Sequence, residues 1–256
     1  MDLTTAALIG ISHGTASPDG QAAVQRLIDA VEVSTTARSA PAAAPAAVRL
    51  GHVDVQQPDV AATLGALPPS MPAVVVPLLL SAGYHVHVDL RREIEAVADR
   101  QVRLAAALGP DDRLVEVLSR RLDEAGASPD DRVVLAVAGS SDVRAVDDCR
   151  DMGERLATAL GAPVAVGFLS AAEPRLADAI AAVRADGGGR RVVAASYLLA
   201  PGYFQDLAAA AGADLLTEPL LTPDDAPKEL VDVVLDRFAE TVAEAVAEAA
   251  DAAPGA

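Results

Sequence analysis

The sequence predicts an α/β protein of two tandem, similar lobes, each a parallel sheet of about four strands with helices on both faces. Three observations carry this prediction. Short runs rich in β-branched residues alternate along the chain with stretches of helical period. The strand runs are apolar at successive positions, Ala73–Leu80 almost throughout, as expected of strands buried on both faces. The same order of elements, with several local signatures, then occurs a second time.

Taken in order, strand Ala7–Ile11 meets the turn Ser12-His13-Gly14, and a helix follows from about Pro18 to Val33. Ser12 and Thr15 can either cap that helix or donate hydrogen bonds to a ligand. Residues 34–47 (STTARSAPAAAPAA) are small, Pro-rich and aperiodic, and read as a flexible loop or insertion. A second strand spans about Val48–Val53, a short helix follows Pro58, and the third strand is Ala73–Leu80. A helix begins near Val86, where Leu90, Ile94 and Val97 alternate with Asp89, Arg91, Arg92, Glu93 and Glu95. A fourth strand lies near Gln101–Ala107, and a helix runs from Asp112 to Ala125. Gly14 and Gly83 follow strands and suit tight turns.

In the second half LVDVVLDRF (Leu230–Phe238) repeats LVEVLSRRL (Leu114–Leu122), each after a Pro-Asp-Asp turn. YLLAPGY (Tyr197–Tyr203) repeats LLLSAGY (Leu78–Tyr84), and Val133–Ser140 repeats Leu8–Thr15. Gly167-Phe168-Leu169-Ser170 before Pro174 repeats Gly51-His52-Val53-Asp54 before Pro58, and Val74–Val76 is matched to Arg191–Val193 and its neighbours. The expected division is an N-terminal lobe 1–126, a C-terminal lobe 127–250 and a disordered tail 251–256.

Composition narrows the function classes. The formal charge of −17 opposes binding to nucleic acid phosphates or an anionic membrane. No apolar run is long enough to cross a bilayer, and the first residues carry Asp2 and no basic residue, unlike a signal peptide. A cytoplasmic protein is therefore expected. The single cysteine, Cys149, excludes an intramolecular disulfide and a thiolate zinc cluster, and reads as a structural thiol. Neither GxGxxG, a Walker pattern nor GxSxG occurs.

All four histidines, His13, His52, His85 and His87, fall in the first half. Across the repeat His13 becomes Ala138, His85 becomes Phe204, His52 becomes Phe168 and Asp54 becomes Ser170. A scaffold kept twice, with its polar points kept once, suggests that those points serve something other than folding. His13, Asp54 and His85 each follow a strand, so they are expected on one rim, where ligands of parallel sheets bind. Two imidazoles and a carboxylate suit Fe(II), Co(II), Ni(II) or Zn(II) and leave positions open for exchange. Asp54 can equally cap the next turn, His52 reads as packed or at the surface, and His87 should point away from His85.

These residues resemble the class II chelatases, specifically the sirohydrochlorin cobaltochelatase and ferrochelatase group in its long, two-copy form. The resemblance rests on Ile11-Ser12-His13-Gly14-Thr15 and on Pro77-Leu78-Leu79-Leu80 with Gly83-Tyr84-His85 and Asp89. His52-Val53-Asp54 before Pro58 adds to it, with Asp54 where the family has Glu and Thr15 where it has Ser. It covers nearly the whole chain. It implies insertion of a divalent metal (Co²⁺, Fe²⁺ or Ni²⁺) into a sirohydrochlorin-type tetrapyrrole, on the way to sirohaem or cobalamin. No cofactor beyond the substrate metal is implied.

By that resemblance His13 is base or metal ligand, His85 is a ligand, which of the two does which staying open, Asp54 helps hold the metal with them, and Ser12, Gly14, Thr15, Gly83 and Tyr84 border the tetrapyrrole. Arg49, Arg91 and Arg92 are candidates for meeting the substrate's carboxylates in an otherwise acidic protein. A monomer or weak dimer is expected. A non-catalytic tetrapyrrole or metal carrier of the same fold, and a small-molecule binding module with incidental histidines, are the alternatives.

Overall fold

The computed structural model describes residues 3, 5–37, 44–81, 90–95, 100–186 and 188–251. In the first half the order is β1 (Ala7–Ser12), α1 (Pro18–Ala37), β2 (Val48–His52), α2 (Val60–Gly65), β3 (Ala73–Pro77), a helix α3 at residues 90–95, β4 (Val102–Leu104) and α4 (Asp112–Glu124). The second half repeats it as β5 (Arg132–Val137), α5 (Val143–Leu160), β6 (Val164–Phe168), α6 (Leu176–Asp186), β7 (Val192–Tyr197), α7 (Tyr203–Ala209), β8 (Leu215–Leu216) and α8 (Lys228–Asp251). The strands form two parallel four-stranded sheets, ordered β2-β1-β3-β4 and β6-β5-β7-β8. The predicted fold class is thus observed, and the duplication is visible strand for strand.

Successive strand residues face opposite helical layers, which explains their lack of polar alternation. Leu8 of β1, and Val133, Leu135 and Val137 of β5, enter one central core that both halves share. Ala7, Ile9 and Ile11 pack outward with Val60, Leu64 and Leu90, while Val134 and Ala136 pack outward with Leu176 and Ile180. Cys149 on α5 is buried in the central core, and burial pushes its thiol pKa up to about 11, in keeping with a structural role.

Three local readings need correction. Helix α1 continues to Ala37, taking the first residues assigned to the loop. Ser34, Thr35 and Thr36 are weak helix formers, and Thr35 donates its hydroxyl to the Glu32 carbonyl one turn back, at 2.7 Å. Strand β3 stops at Pro77, because the groups after it serve other partners. The Leu79 carbonyl accepts from Leu108 N, and the Leu80 carbonyl accepts from the Tyr197 hydroxyl at 3.0 Å. Finally, the repeat register of the third strand moves by two residues: Leu8 pairs with Val74 as Val133 pairs with Val193.

The closing helix of each half packs against the other half. Helix α4 contacts α5 and β7, whereas α8 contacts α1 and β3, and the two helices also touch. Equivalent arginines anchor the exchange. Arg121, 4% exposed, donates to the Pro219 and Leu220 carbonyls at 3.1 and 3.0 Å and to Asp225 at 2.8 Å. Arg237 donates to the Ala107 and Leu108 carbonyls at 2.9 and 3.2 Å and to Asp111 at 3.3 Å. The last helix ends at Asp251, and residues 252–256 lie outside the described residues. Among the described residues no helix is long and apolar enough to cross a membrane.

Candidate functional site

Because the strands are parallel, their carboxyl ends share one rim, and the first half carries its polar residues there. His13 follows β1 directly and Asp54 lies just beyond β2; both are exposed. Two backbone bonds extend the ladder past the strands, Val53 N to Ser12 O at 2.9 Å and Asp54 N to His13 O at 3.0 Å. His13 and Asp54 are therefore backbone neighbours. The Asp54 carboxylate accepts from Val55 N at 2.7 Å, and the cap of α2 is Asp59, which accepts from Ala62 N at 2.7 Å.

His85, Gly83 and Tyr84, together with His87 and Asp89, lie outside the described residues. Among the described residues no group of three His, Cys, Asp or Glu side chains could hold a metal ion.

Gly14 is required by the backbone. It has φ +94°, and a Cβ there would stand 2.0 Å from the Asp54 carbonyl oxygen. Gly139 repeats this in the second half, with φ +90° and the same 2.0 Å approach to Ser170 O, so the feature belongs to the scaffold. Gly14→Ala is expected to lower stability by about 1–3 kcal/mol. Thermal unfolding measures the loss, and an unchanged melting temperature would contradict the assigned geometry.

The hydroxyls read as ligand donors or caps have other partners. Ser12 ends β1 with its side chain buried, 4% exposed, in a 2.8 Å hydrogen bond to Nδ1 of His52. His52 is packed, also 4% exposed, and burial lowers its pKa below the ordinary histidine value, which keeps the imidazole neutral at neutral pH. Thr15 Oγ1 accepts from Ser17 N at 3.1 Å, its N–H donates to Gln56 Oε1 at 2.8 Å, and its carbonyl accepts from Gln21 Nε2 at 2.9 Å. The first turn of α1 is capped by Ser17, whose Oγ accepts from Gly20 N at 3.3 Å, with Pro18 opening the helix.

Beside this loop lies an open cleft of about 420 Å³ between α1 and the turn after β2, lined by Pro18, Leu50, Pro58, His52 and the four glutamines 21, 25, 56 and 57. Sequence reasoning passed over the glutamines, which carry no motif. Comparing the halves residue by residue would have raised them, since Gln21 and Gln56 correspond to Val146 and Ala172. Arg49 is not at the rim: it lies three residues before His52 in β2, roughly 10 Å back along the strand. Arg91 and Arg92 are exposed on α3.

Across the loop, the second half's turn at 201–202 closes in. A Cβ on Gly20 would meet the Pro201 carbonyl at 2.3 Å, and one on Gly202 would lie 3.1 Å from Thr15 Oγ1. The His13 loop therefore borders the boundary between the halves, with the exposed Tyr203 just beyond.

Comparison with known proteins agrees with this architecture. SirB from Bacillus subtilis, solved with Fe³⁺, superposes with a TM-score of 0.77 at 21% identity, covering 95% of this chain and 98% of that one. A sirohydrochlorin ferrochelatase of Priestia megaterium is 32% identical over 114 residues, 41% of this chain and 42% of the relative. A sirohydrochlorin cobaltochelatase of Sulfurisphaera tokodaii is 35% identical over 51 residues, 20% of this chain and 42% of the relative. Each of these two alignments spans less than half of the curated relative. The CbiX family model matches twice, at residues 7–125 and 132–241, once over each of the two sheets described above. The chain belongs to the CbiX family of class II chelatases.

Proposed function

We propose that this chain is a chelatase that inserts Co²⁺ or Fe²⁺ into sirohydrochlorin, with its working site in the first half, 1–126, and the second half, 127–250, as a degenerate copy. The observation that supports this most directly is the asymmetry of the duplication. The rim of the first half carries His13 and Asp54 where the second carries Ala138 and Ser170, on the same backbone. The names of the two curated relatives, a ferrochelatase and a cobaltochelatase of sirohydrochlorin, supply the substrate class.

Insertion must remove two pyrrole protons as the ion enters. A histidine imidazole is suited to accept them at neutral pH. His13 is accessible for that role. In this reading Asp54 and His85 hold the incoming ion, which is a substrate and not a resident cofactor. Gly14, Thr15, Gly83 and Tyr84 border the macrocycle. A cytoplasmic enzyme, monomeric or weakly dimeric, completes the proposal.

The test is an absorption assay of the full chain with sirohydrochlorin and Co²⁺ or Fe²⁺. Protein-dependent appearance of the metallated spectrum, faster than the spontaneous reaction, is expected. Tetrapyrrole binding with only the spontaneous rate would make the chain a carrier, and no binding would overturn the reading altogether.

A further inference from the structure

His13 is held on both flanks by side-chain bonds that the other copy of the scaffold lacks. On the preceding side, Ser12 Oγ bonds to His52 Nδ1 at 2.8 Å, the two residues being register partners at the ends of β1 and β2. Their counterparts Val137 and Phe168 are also register partners, but both are apolar, 1% exposed and part of the shared core. On the following side, Thr15 N donates to Gln56 Oε1, and the counterpart of Gln56 is Ala172, which has no polar side-chain group.

What the halves share is the backbone. Leu169 N donates to Val137 O, and Ser170 N to Ala138 O, both at 2.9 Å, matching the bonds at Ser12 and His13. The hydroxyl turn recurs as well, since Ser140 Oγ accepts from Asp142 N at 3.0 Å as Thr15 Oγ1 accepts from Ser17 N at 3.1 Å. The second half adds one side-chain bond of its own, from Ser170 Oγ to the Ala138 carbonyl at 2.8 Å, and there the loop folds without a counterpart of His52 or Gln56. A buried hydroxyl–imidazole pair is also no more stabilising than the apolar pair that fills the same place in the second half.

We infer that His52, acting through Ser12, and Gln56, acting through Thr15, are positioning residues that set the backbone on either side of His13 and so aim its imidazole at the macrocycle. This rests on the reading of His13 as the reacting histidine. An exposed histidine in a loop samples several rotamers and backbone substates. Fixing the residue before it and the second residue after it raises the fraction of time spent in the productive geometry, which acts on kcat more than on substrate affinity.

The second half suggests the variants. Ser12→Val with His52→Phe installs a pair already packed at the equivalent site, and Gln56→Ala installs the residue found there. In the full chain with sirohydrochlorin and Co²⁺, each is expected to lower kcat by about 10–100-fold. KM for sirohydrochlorin should stay within about twofold, and the melting temperature should not fall. His52→Asn, whose amide can meet the Ser12 hydroxyl where Nδ1 does, should restore most of the kcat lost in the apolar variant.

Native kcat in the double variant and in Gln56→Ala, with an active wild type, overturns the inference and leaves the proposed function standing. An inactive wild type removes both. If the double variant fails to fold, Gln56→Ala, at a surface turn, decides alone, and native kcat there refutes the inference.

Discussion

Replacing His13 by alanine is expected to lower the rate of metal insertion by about 10²–10⁴-fold, the usual worth of a positioned acid or base. The melting temperature should stay where it is. The structural half of this expectation rests on an internal control: Ala138 occupies the equivalent point of the second half, and the bond from Ser170 N to its carbonyl matches the one from Asp54 N to His13 O. Alanine is thus compatible with the loop, and His13 itself is exposed, so no core contact is lost. Tetrapyrrole binding, followed by the absorption shift without metal, should persist. A variant that inserts metal at the native rate would remove His13 from the chemistry, whatever becomes of His85.

Arg121→Ala should cost about 2–4 kcal/mol of folding free energy, chiefly because two buried carbonyls lose their donor. The side chain of Arg121 is 5% exposed, while its ion-pair partners Glu124 and Asp225 are 49% and 46% exposed. Those carboxylates can turn to water when the guanidinium is removed. The carbonyls of Pro219 and Leu220 have no such exit, so they decide the magnitude. Arg237→Ala should cost less, its side chain being 15% exposed. Equilibrium unfolding in urea gives both values. A loss below about 1 kcal/mol at Arg121, no more than an exposed ion pair is worth, would show that the exchange of helices does not depend on this anchor.

Most of the fold was legible because each strand run is flanked by a helix of clear period, and because the chain states its plan twice. Strand boundaries were harder. Leu78–Leu80 look like a continuation of β3, and Leu78 N still donates to Ile11 O of β1, yet the Leu79 and Leu80 carbonyls accept from Leu108 N and the Tyr197 hydroxyl, partners that no local pattern announces. The crossing of α4 and α8 was illegible for a related reason. Hydrophobic period tells which face of a helix is buried, not which half of the molecule buries it.

At the rim, His13 and Asp54 were found by position and by their loss in the second copy. The same comparison had paired His52 with Phe168, but a buried histidine was set aside as packing. Ser12 was read as a helix cap or ligand donor because a turn was placed at it, whereas β1 runs through it and its buried side chain bonds to His52.

The crossed helices mean that neither half of the chain owns a complete fold. A cut in the connection between Glu124 and Arg132 would give two pieces, each with a sheet whose inner cover is attached to the other piece. Structure would return only on reassociation, at a rate set by concentration. Conversely, two identical single-length chains can reach the same architecture by trading their terminal helices. Joining the copies end to end turns that trade into an intramolecular step, whose effective concentration is set by the short connection between α4 and β5.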